Sequence, residues 1–325
     1  MPIHNGHLFV IEVALKLVDE LTVLVCSIDT ESIDGRLRAA WVRKSVPEGV
    51  VVQELHGDMP QAPEDDGDFW SIWRNAINQY GSFDKVFGGE EYVVRLAQEI
   101  GATPIPLGRN TVNISATKIR ENPDESWAYI PPAVRPYFQR RVTFLGPEST
   151  GKSTFSAMLA KRVNPKGDLS NLMTEYGRIY DTTLKKGQSW CSEDFQDLAA
   201  THIAMREVLA KHAGPLLIED TDVIQTMAWE QALLGVVNYE SYPLQNPADL
   251  YLLLSPEVEW IDDGTRYGDK FRVAMFDFLK MQLEHLKLPY EVISGNEWHV
   301  RERLVFNVVD RFMSEIQGFK NIWRS

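Results

Sequence analysis

Short apolar runs rich in β-formers alternate with amphipathic helical stretches along most of this chain. In the first third, LTVLVCSI (21–28), GVVVQEL (49–55), DKVFGG (84–89) and TPIPL (103–107) read as strands. Between them RLRAAWVRKSV (36–46), FWSIWRNAINQY (69–80) and EEYVVRLAQEIG (90–101) carry helical periodicity. Strands joined through helices of this length are crossover-connected, so the pattern predicts a parallel sheet with helices packed on it.

The rhythm then breaks and restarts. ISATKIRENP (114–123) reads as a short helix, and WAYIPPAVRPYFQRR carries prolines at 131, 132 and 136 that no long helix tolerates. Immediately afterwards RVTFLGPESTGKSTF (141–155) gives a strand, a glycine-bearing loop and a helix start, followed by the strands GPLLIEDTD (214–222), ADLYLLLS (248–255) and LPYEVISG (288–295). A final helix runs from Val300 to about Gly318. The fold class expected is α/β, two doubly wound parallel-sheet domains spanning residues 1–138 and 139–325.

Composition narrows the function classes. With 44% hydrophobic and 24% charged residues, the 325-residue chain has the makeup of a soluble globular protein of two domains. A formal net charge of −13 argues against a general affinity for DNA or RNA, which needs clustered Lys and Arg. Any polyphosphate site must be local. The two cysteines, Cys26 and Cys191, lack metal-ligand spacing and fit a reducing, cytoplasmic setting. No apolar run approaches the roughly 20 residues that span a bilayer, and the start lacks a signal-peptide layout, so no membrane role is expected.

Gly146-Pro147-Glu148-Ser149-Thr150-Gly151-Lys152-Ser153 matches G-x-x-x-x-G-K-[ST] between a strand and a helix. In such a loop, backbone N–H groups and the helix N-terminus face the phosphates of ATP. Gly146, Ser149, Thr150, Gly151 and Thr154 are the loop and helix-start contacts. Lys152 reaches the β/γ-phosphates, and Ser153 holds Mg²⁺. The motif alone does not separate a kinase from an ATPase or GTPase.

Other residues favour a kinase. Asp220 and Asp222 end an apolar strand, where a carboxylate organises Mg²⁺, as expected of Asp220, or takes a hydroxyl proton; capping the next helix is the competing use. At least one of the two is expected to be catalytic. No Asn-Lys-x-Asp guanine-reading segment occurs. Asp262-Asp263-Gly264-Thr265-Arg266-Tyr267-Gly268, followed by Arg272, reads as a lid whose arginines Arg266 and Arg272 neutralise phosphoryl charge. Glu175, Tyr176 and Arg178, in TEYGR, offer a carboxylate, a phenol and a guanidinium to a nucleoside; a plain helix start is the alternative.

Near the beginning, His4-Asn5-Gly6-His7 opens a helix and offers two imidazoles to a triphosphate. Its natural partner is Ile114-Ser115-Ala116-Thr117-Lys118-Ile119-Arg120, which supplies the hydroxyls of Ser115 and Thr117, a helix start and the guanidinium of Arg120. His4, His7 and Arg120 are the expected catalytic groups of this unit. Trp70 and Trp73 stand three apart on one helix; one is expected in the core and the other stacked on a ligand ring.

His4-x-Gly6-His7 with Ile114-Ser115-x-Thr117-x-x-Arg120 resembles the nucleotidyltransferase pattern of nicotinamide mononucleotide adenylyltransferases. Joined to GPESTGKST and DTD, the order of motifs is similar to the bifunctional NadR proteins over essentially the whole chain. That resemblance implies a Rossmann-like adenylyltransferase followed by a P-loop kinase. The kinase would phosphorylate nicotinamide riboside with ATP and Mg²⁺, and the adenylyltransferase would convert the mononucleotide, NMN, to NAD and pyrophosphate.

Two departures from that family stand out. There is no room for the helix-turn-helix domain some members carry, so no DNA partner is expected. The strand and Gly-x-Phe-x-Pro loop that usually precede the histidines are also missing, because only Met1-Pro2-Ile3 precedes His4. Either the true start lies upstream, which the intact His4, His7 and ISATKIR favour, or the first domain is truncated. The alternatives are a kinase whose first domain only binds or senses nucleotide, and a related nucleoside kinase fused to another nucleotidyltransferase; a homo-oligomer is left open.

Overall fold

The computed structural model describes all residues except 109–110, 165–166, 243, 245, 260–268 and 319–325. The chain divides into two compact units, Met1–Arg135 and a second beginning at Pro136. Among the described residues no helix is long and apolar enough to cross a membrane.

The first unit runs α1 (Asn5–Leu15), β1 (Thr22–Ser27), α2 (Gly35–Ser45), β2 (Val51–His56), α3 (Phe69–Asn78), β3 (Lys85–Gly88), α4 (Glu90–Ile100), β4 (Thr103–Pro106) and α5 (Ala116–Glu121). Its strands form two parallel pairs, β1 with β2 and β3 with β4. All but one of the residues of β1 are only half-buried, and β3 is no better covered. A strand inside a doubly wound sheet is normally covered on both faces. Among the described residues no strand pairs with the free edges of β1 and β3, so the two pairs do not join into one sheet. The core of the unit gathers Phe69, Trp73, Ile77 and Leu96 from α3 and α4.

The short α6 (Arg135–Phe138) leads to β5 (Arg140–Leu145), α7 (Lys152–Val163), β6 (Leu172–Met173), α8 (Tyr176–Tyr180), α9 (Ser192–His212), β7 (Leu216–Asp220), α10 (Val223–Leu234), β8 (Leu250–Leu254), α11 (Asp269–His285), β9 (Tyr290–Ile293) and α12 (Trp298–Gly318). Five parallel strands lie in the order β6-β7-β5-β8-β9. Every residue of β7 and β8 is buried, as their near-continuous apolar runs require.

Alternation along each strand sorts the two faces. Val142, Phe144, Ile218 and Leu252 pack with α7 and α12, whereas Leu145, Tyr251 and Leu253 pack with α10 and α11. Because β5 pairs directly with β7, Phe144 lies opposite Asp220. The loop after β5 and the acidic end of β7 therefore open at the same carboxyl edge, where ligands of such sheets bind.

Candidate functional site

In the second unit the loop 146–151 turns through three residues with positive φ: Gly146 at 151°, Ser149 at 58° and Gly151 at 93°. Gly146 also has no room for a side chain, since a Cβ would stand 2.7 Å from the Leu254 carbonyl oxygen. Thr150 is fully buried and donates its hydroxyl to the Pro147 carbonyl at 2.8 Å, so it braces the loop from behind. The Lys152 ammonium lies 2.9 Å from the carbonyl oxygens of both Gly146 and Pro147, folded over the loop that it heads.

Burial lowers the Lys152 pKa, an effect opposed by the carboxylates of Glu175, Asp220 and Glu148. Those acidic groups identify the lysine's neighbours. Asp220 is buried, and burial raises its pKa against a hydrogen bond from the Ser153 hydroxyl and the charge of Lys152. Its Oδ1 has no hydrogen-bond partner among the described residues. A buried, unpartnered carboxylate oxygen next to a hydroxyl is a donor set suited to Mg²⁺, which takes one or two protein oxygens and completes its shell with phosphates and water. Ser153 and Thr154 are exposed on the first turn of α7.

Glu175 precedes α8 and pairs with Arg178 at 3.6 Å, the Glu half-buried and the Arg open. Both act electrostatically on Lys152 and on Asp220, so α8 contributes to the same site. The Tyr176 ring meets Tyr180 edge-on at 6.2 Å, one member of an aromatic row that continues to Trp190 and Phe195.

Asp222 lies elsewhere. Its Oδ1 accepts the Ile224 N–H at 2.9 Å, capping α10, and its Oδ2 accepts the Tyr251 hydroxyl at 2.9 Å inside the core. Thr221, at φ 79°, turns the chain between the two aspartates and sends them in different directions. Asp222 is thus structural, which corrects its expected catalytic role. Burial pushes its pKa up to about 6. Arg272 is fully buried on α11 and donates to the Val258 carbonyl at 3.0 Å. Arg266 lies outside the described residues.

Two residues that the motifs do not announce hold this loop, and a third lies beneath it in the sheet. Gln225 accepts the Gly146 N–H at 3.1 Å, and Arg301 donates to the Thr150 carbonyl at 3.3 Å. Glu219, wholly buried beside Asp220, accepts the Thr143 hydroxyl at 2.6 Å and faces Arg141, His202 and Arg206 at 3.8–3.9 Å. A glutamine inside an apolar helix is the only signal the sequence gives for Gln225.

In the first unit, His4 caps α1 with its own ring: Nδ1 accepts the Gly6 N–H at 3.1 Å, which puts the neutral ring's proton on Nε2. The His7 ring stacks on it, centroids 3.8 Å apart. Desolvation lowers the His4 pKa to about 4; desolvation and then the neighbouring His4 lower His7 to about 3. Both rings are therefore neutral at pH 7, although the outer edge of His7 is exposed.

A Cβ on Gly6 would lie 3.4 Å from Ile114 Cγ2, so the two halves of the motif meet at this glycine. Ser115 caps α5 by accepting the Lys118 N–H at 3.2 Å, and Arg120 donates to the Thr117 hydroxyl at 3.4 Å. The second guanidinium nitrogen of Arg120 is buried without a hydrogen-bond partner among the described residues. Trp73 is the core tryptophan and donates to the Pro60 carbonyl at 3.0 Å. Trp70 is half-buried between Tyr92 and Arg95.

A parallel sheet of order β6-β7-β5-β8-β9 with a lysine-headed glycine loop after its central strand defines a P-loop nucleotide-binding protein. Residues 141–303 match the AAA domain family and residues 2–122 the cytidylyltransferase-like family. The chain belongs to the AAA domain family, and its two-unit order is of the NadR type. It is 27% identical over 295 residues to the trifunctional NAD biosynthesis/regulator protein NadR of Escherichia coli, covering 82% of this chain and 69% of that one. The nicotinamide-nucleotide adenylyltransferase of Methanospirillum hungatei is 28% identical over 138 residues, 41% of this chain and 79% of the relative. Two solved structures share the fold: NadR protein in complex with NR (TM-score 0.68, 21% identity, covering 95% of this chain and 93% of that one), and NadR protein in complex with NAD and AMP-PNP (0.69, 22%, 95% and 92%).

Proposed function

We propose that this chain is a two-step enzyme of NAD salvage. The unit beginning at Pro136 transfers the γ-phosphoryl group of ATP to nicotinamide riboside. The unit 1–135 then transfers the adenylyl group of a second ATP to the resulting mononucleotide. The single observation that carries this is the convergence of Lys152, Ser153, Asp220 and Glu175 on one phosphate loop, in a chain whose other unit joins His4, Gly6 and Ile114 into a second phosphate-binding motif. The relatives named above supply the substrate class.

In the kinase step the riboside's 5′-hydroxyl oxygen bonds to the γ-phosphorus, the bond to the β,γ-bridging oxygen breaks, and ADP leaves. The hydroxyl proton passes to Glu175, one of the carboxylates beside Lys152. Lys152 leaves the loop carbonyls for the β/γ-phosphates, and the loop N–H groups stabilise their charge. Ser153 and Asp220 Oδ1 would hold Mg²⁺, which neutralises phosphate charge when bound.

In the adenylyl step a phosphate oxygen of the mononucleotide bonds to the α-phosphorus of ATP, and pyrophosphate leaves. No proton needs to move. The neutral His4 and His7 offer N–H donors, and Arg120, with an unpartnered N–H, offers positive charge; together they position and stabilise the transferring group.

The test is chromatography of the products after incubating this chain with nicotinamide riboside, ATP and Mg²⁺. Accumulating NAD supports both steps. Mononucleotide without NAD would reject the second step, and unchanged riboside would reject the first.

A further inference from the structure

The rim of the phosphate loop carries an aromatic group that the mechanism above does not use. Trp298, the first residue of α12, is 46% exposed. The edge of its six-membered ring rests on Gly151 so closely that a Cβ there would stand 2.4 Å from Cζ3, and its ring plane tilts 41° against Phe155 at 5.3 Å. Gly151 immediately precedes Lys152, so the half-exposed indole stands directly beside the phosphate loop.

The indole is fixed in that place. Arg301, one turn further along α12 and without exposed surface, donates to the carbonyls of Gly295, Thr150 and Ser255 and to the Ser255 hydroxyl. One buried guanidinium thus ties the first turn of α12, the turn after β9 and the phosphate loop together. A flat apolar face fixed beside a phosphate loop suits a ligand that is polyanionic at one end and aromatic at the other.

We propose that Trp298 is the stacking platform for the base of the nucleoside triphosphate bound by the 146–153 loop. This rests on reading the second unit as an ATP-dependent kinase. Stacking recognises the π face of a base rather than its hydrogen-bonding edge, so Trp298 raises affinity for ATP without itself choosing adenine over guanine.

The test uses the full chain at saturating nicotinamide riboside, with mononucleotide formation followed as ATP is varied. Trp298→Ala is expected to raise the KM for ATP roughly tenfold, the scale of one lost base–aromatic stack. The kcat and the KM for the riboside should stay within about twofold. Trp298→Phe should keep ATP affinity and Trp298→Leu should lose it, a comparison that holds even if the alanine variant fails to fold. Leucine restoring affinity as well as phenylalanine would make the indole a packing group and overturn the proposal, as would an unchanged KM in Trp298→Ala.

A second readout needs no acceptor nucleoside. Light-activated 8-azido-ATP should label Trp298 or its immediate neighbours in the unit beginning at Pro136, and excess ATP should prevent this. Labelling elsewhere in that unit overturns the platform. Labelling at Trp298 with no riboside phosphorylated would retain the platform while rejecting the kinase assignment.

Discussion

Gln225, buried in α10, accepts the N–H of Gly146 at 3.1 Å and donates to the sulfur of Met275 at 3.3 Å, linking the phosphate loop to α10 and α11 through one side chain. Leucine there would fill the space and leave the Gly146 N–H buried without an acceptor. Gln225→Leu is expected to lower the stability of the second unit by about 1–3 kcal/mol, read as a lower urea midpoint at unchanged slope. An unchanged midpoint would show that the loop finds another acceptor.

The two proposed phosphate sites belong to different units and should fail separately. Lys152→Ala is expected to reduce riboside phosphorylation by about a hundredfold or more while sparing adenylyl transfer to supplied mononucleotide. His7→Ala is expected to do the reverse. Loss of both activities from either change in a folded protein would refute the division of labour.

The two aspartates after β7 should behave unequally. Asp220→Asn removes the charge beside Lys152 and Ser153 and is expected to cost phosphorylation about a hundredfold. Asp222→Asn keeps an acceptor for the Ile224 N–H and should leave kcat within a few-fold, with its effect confined to stability. Equal losses of kcat in the two variants would return Asp222 to the catalytic site.

The histidine pair makes the first unit acid-sensitive. The folded His4 pKa, about 4, lies below its unfolded value of 6.5, so between these pH values the unfolded chain binds a proton that the folded one does not. Stability from this group is complete above pH 6.5 and is lost as the pH falls towards 4, by about 3 kcal/mol in all. Hydrogen exchange of the α1 amides at pH 7 and pH 4.5 should show the loss. His4→Asn, which keeps a capping acceptor, should flatten it; an equally steep loss in that variant would place the acid-sensitive group elsewhere.

The order of strands and helices, the glycine loop with Lys152, and the pairing of His4-x-Gly6-His7 with Ile114–Arg120 were legible in the chain because each is set by local spacing. Apolar periodicity dictates which face is buried, and a loop that needs positive φ and close approach carries glycine at Gly146 and Gly151. The competing uses of Asp222 and of the Trp70–Trp73 pair were not resolvable in that way. A cap and a catalytic carboxylate are the same residue type at the same strand end, and two tryptophans three apart differ only in what lies across from them.

The sequence by itself determined two α/β units and the short motifs that point to phosphate, since these follow from periodicity and from patterns complete within a few residues. Only the tertiary structure decided that Asp220 and Glu175 converge on Lys152, that Asp222 turns into the core against Tyr251, and that Gln225, Trp298 and Arg301 hold or border the loop. It also decided that, among the described residues, β1 and β3 each pair with a single partner rather than joining one sheet. These are contacts between residues up to about 150 positions apart, here Thr150 and Arg301. Their formation depends on the pairing of β5 with β7 and the packing of α12 against α7, which no local stretch of sequence encodes.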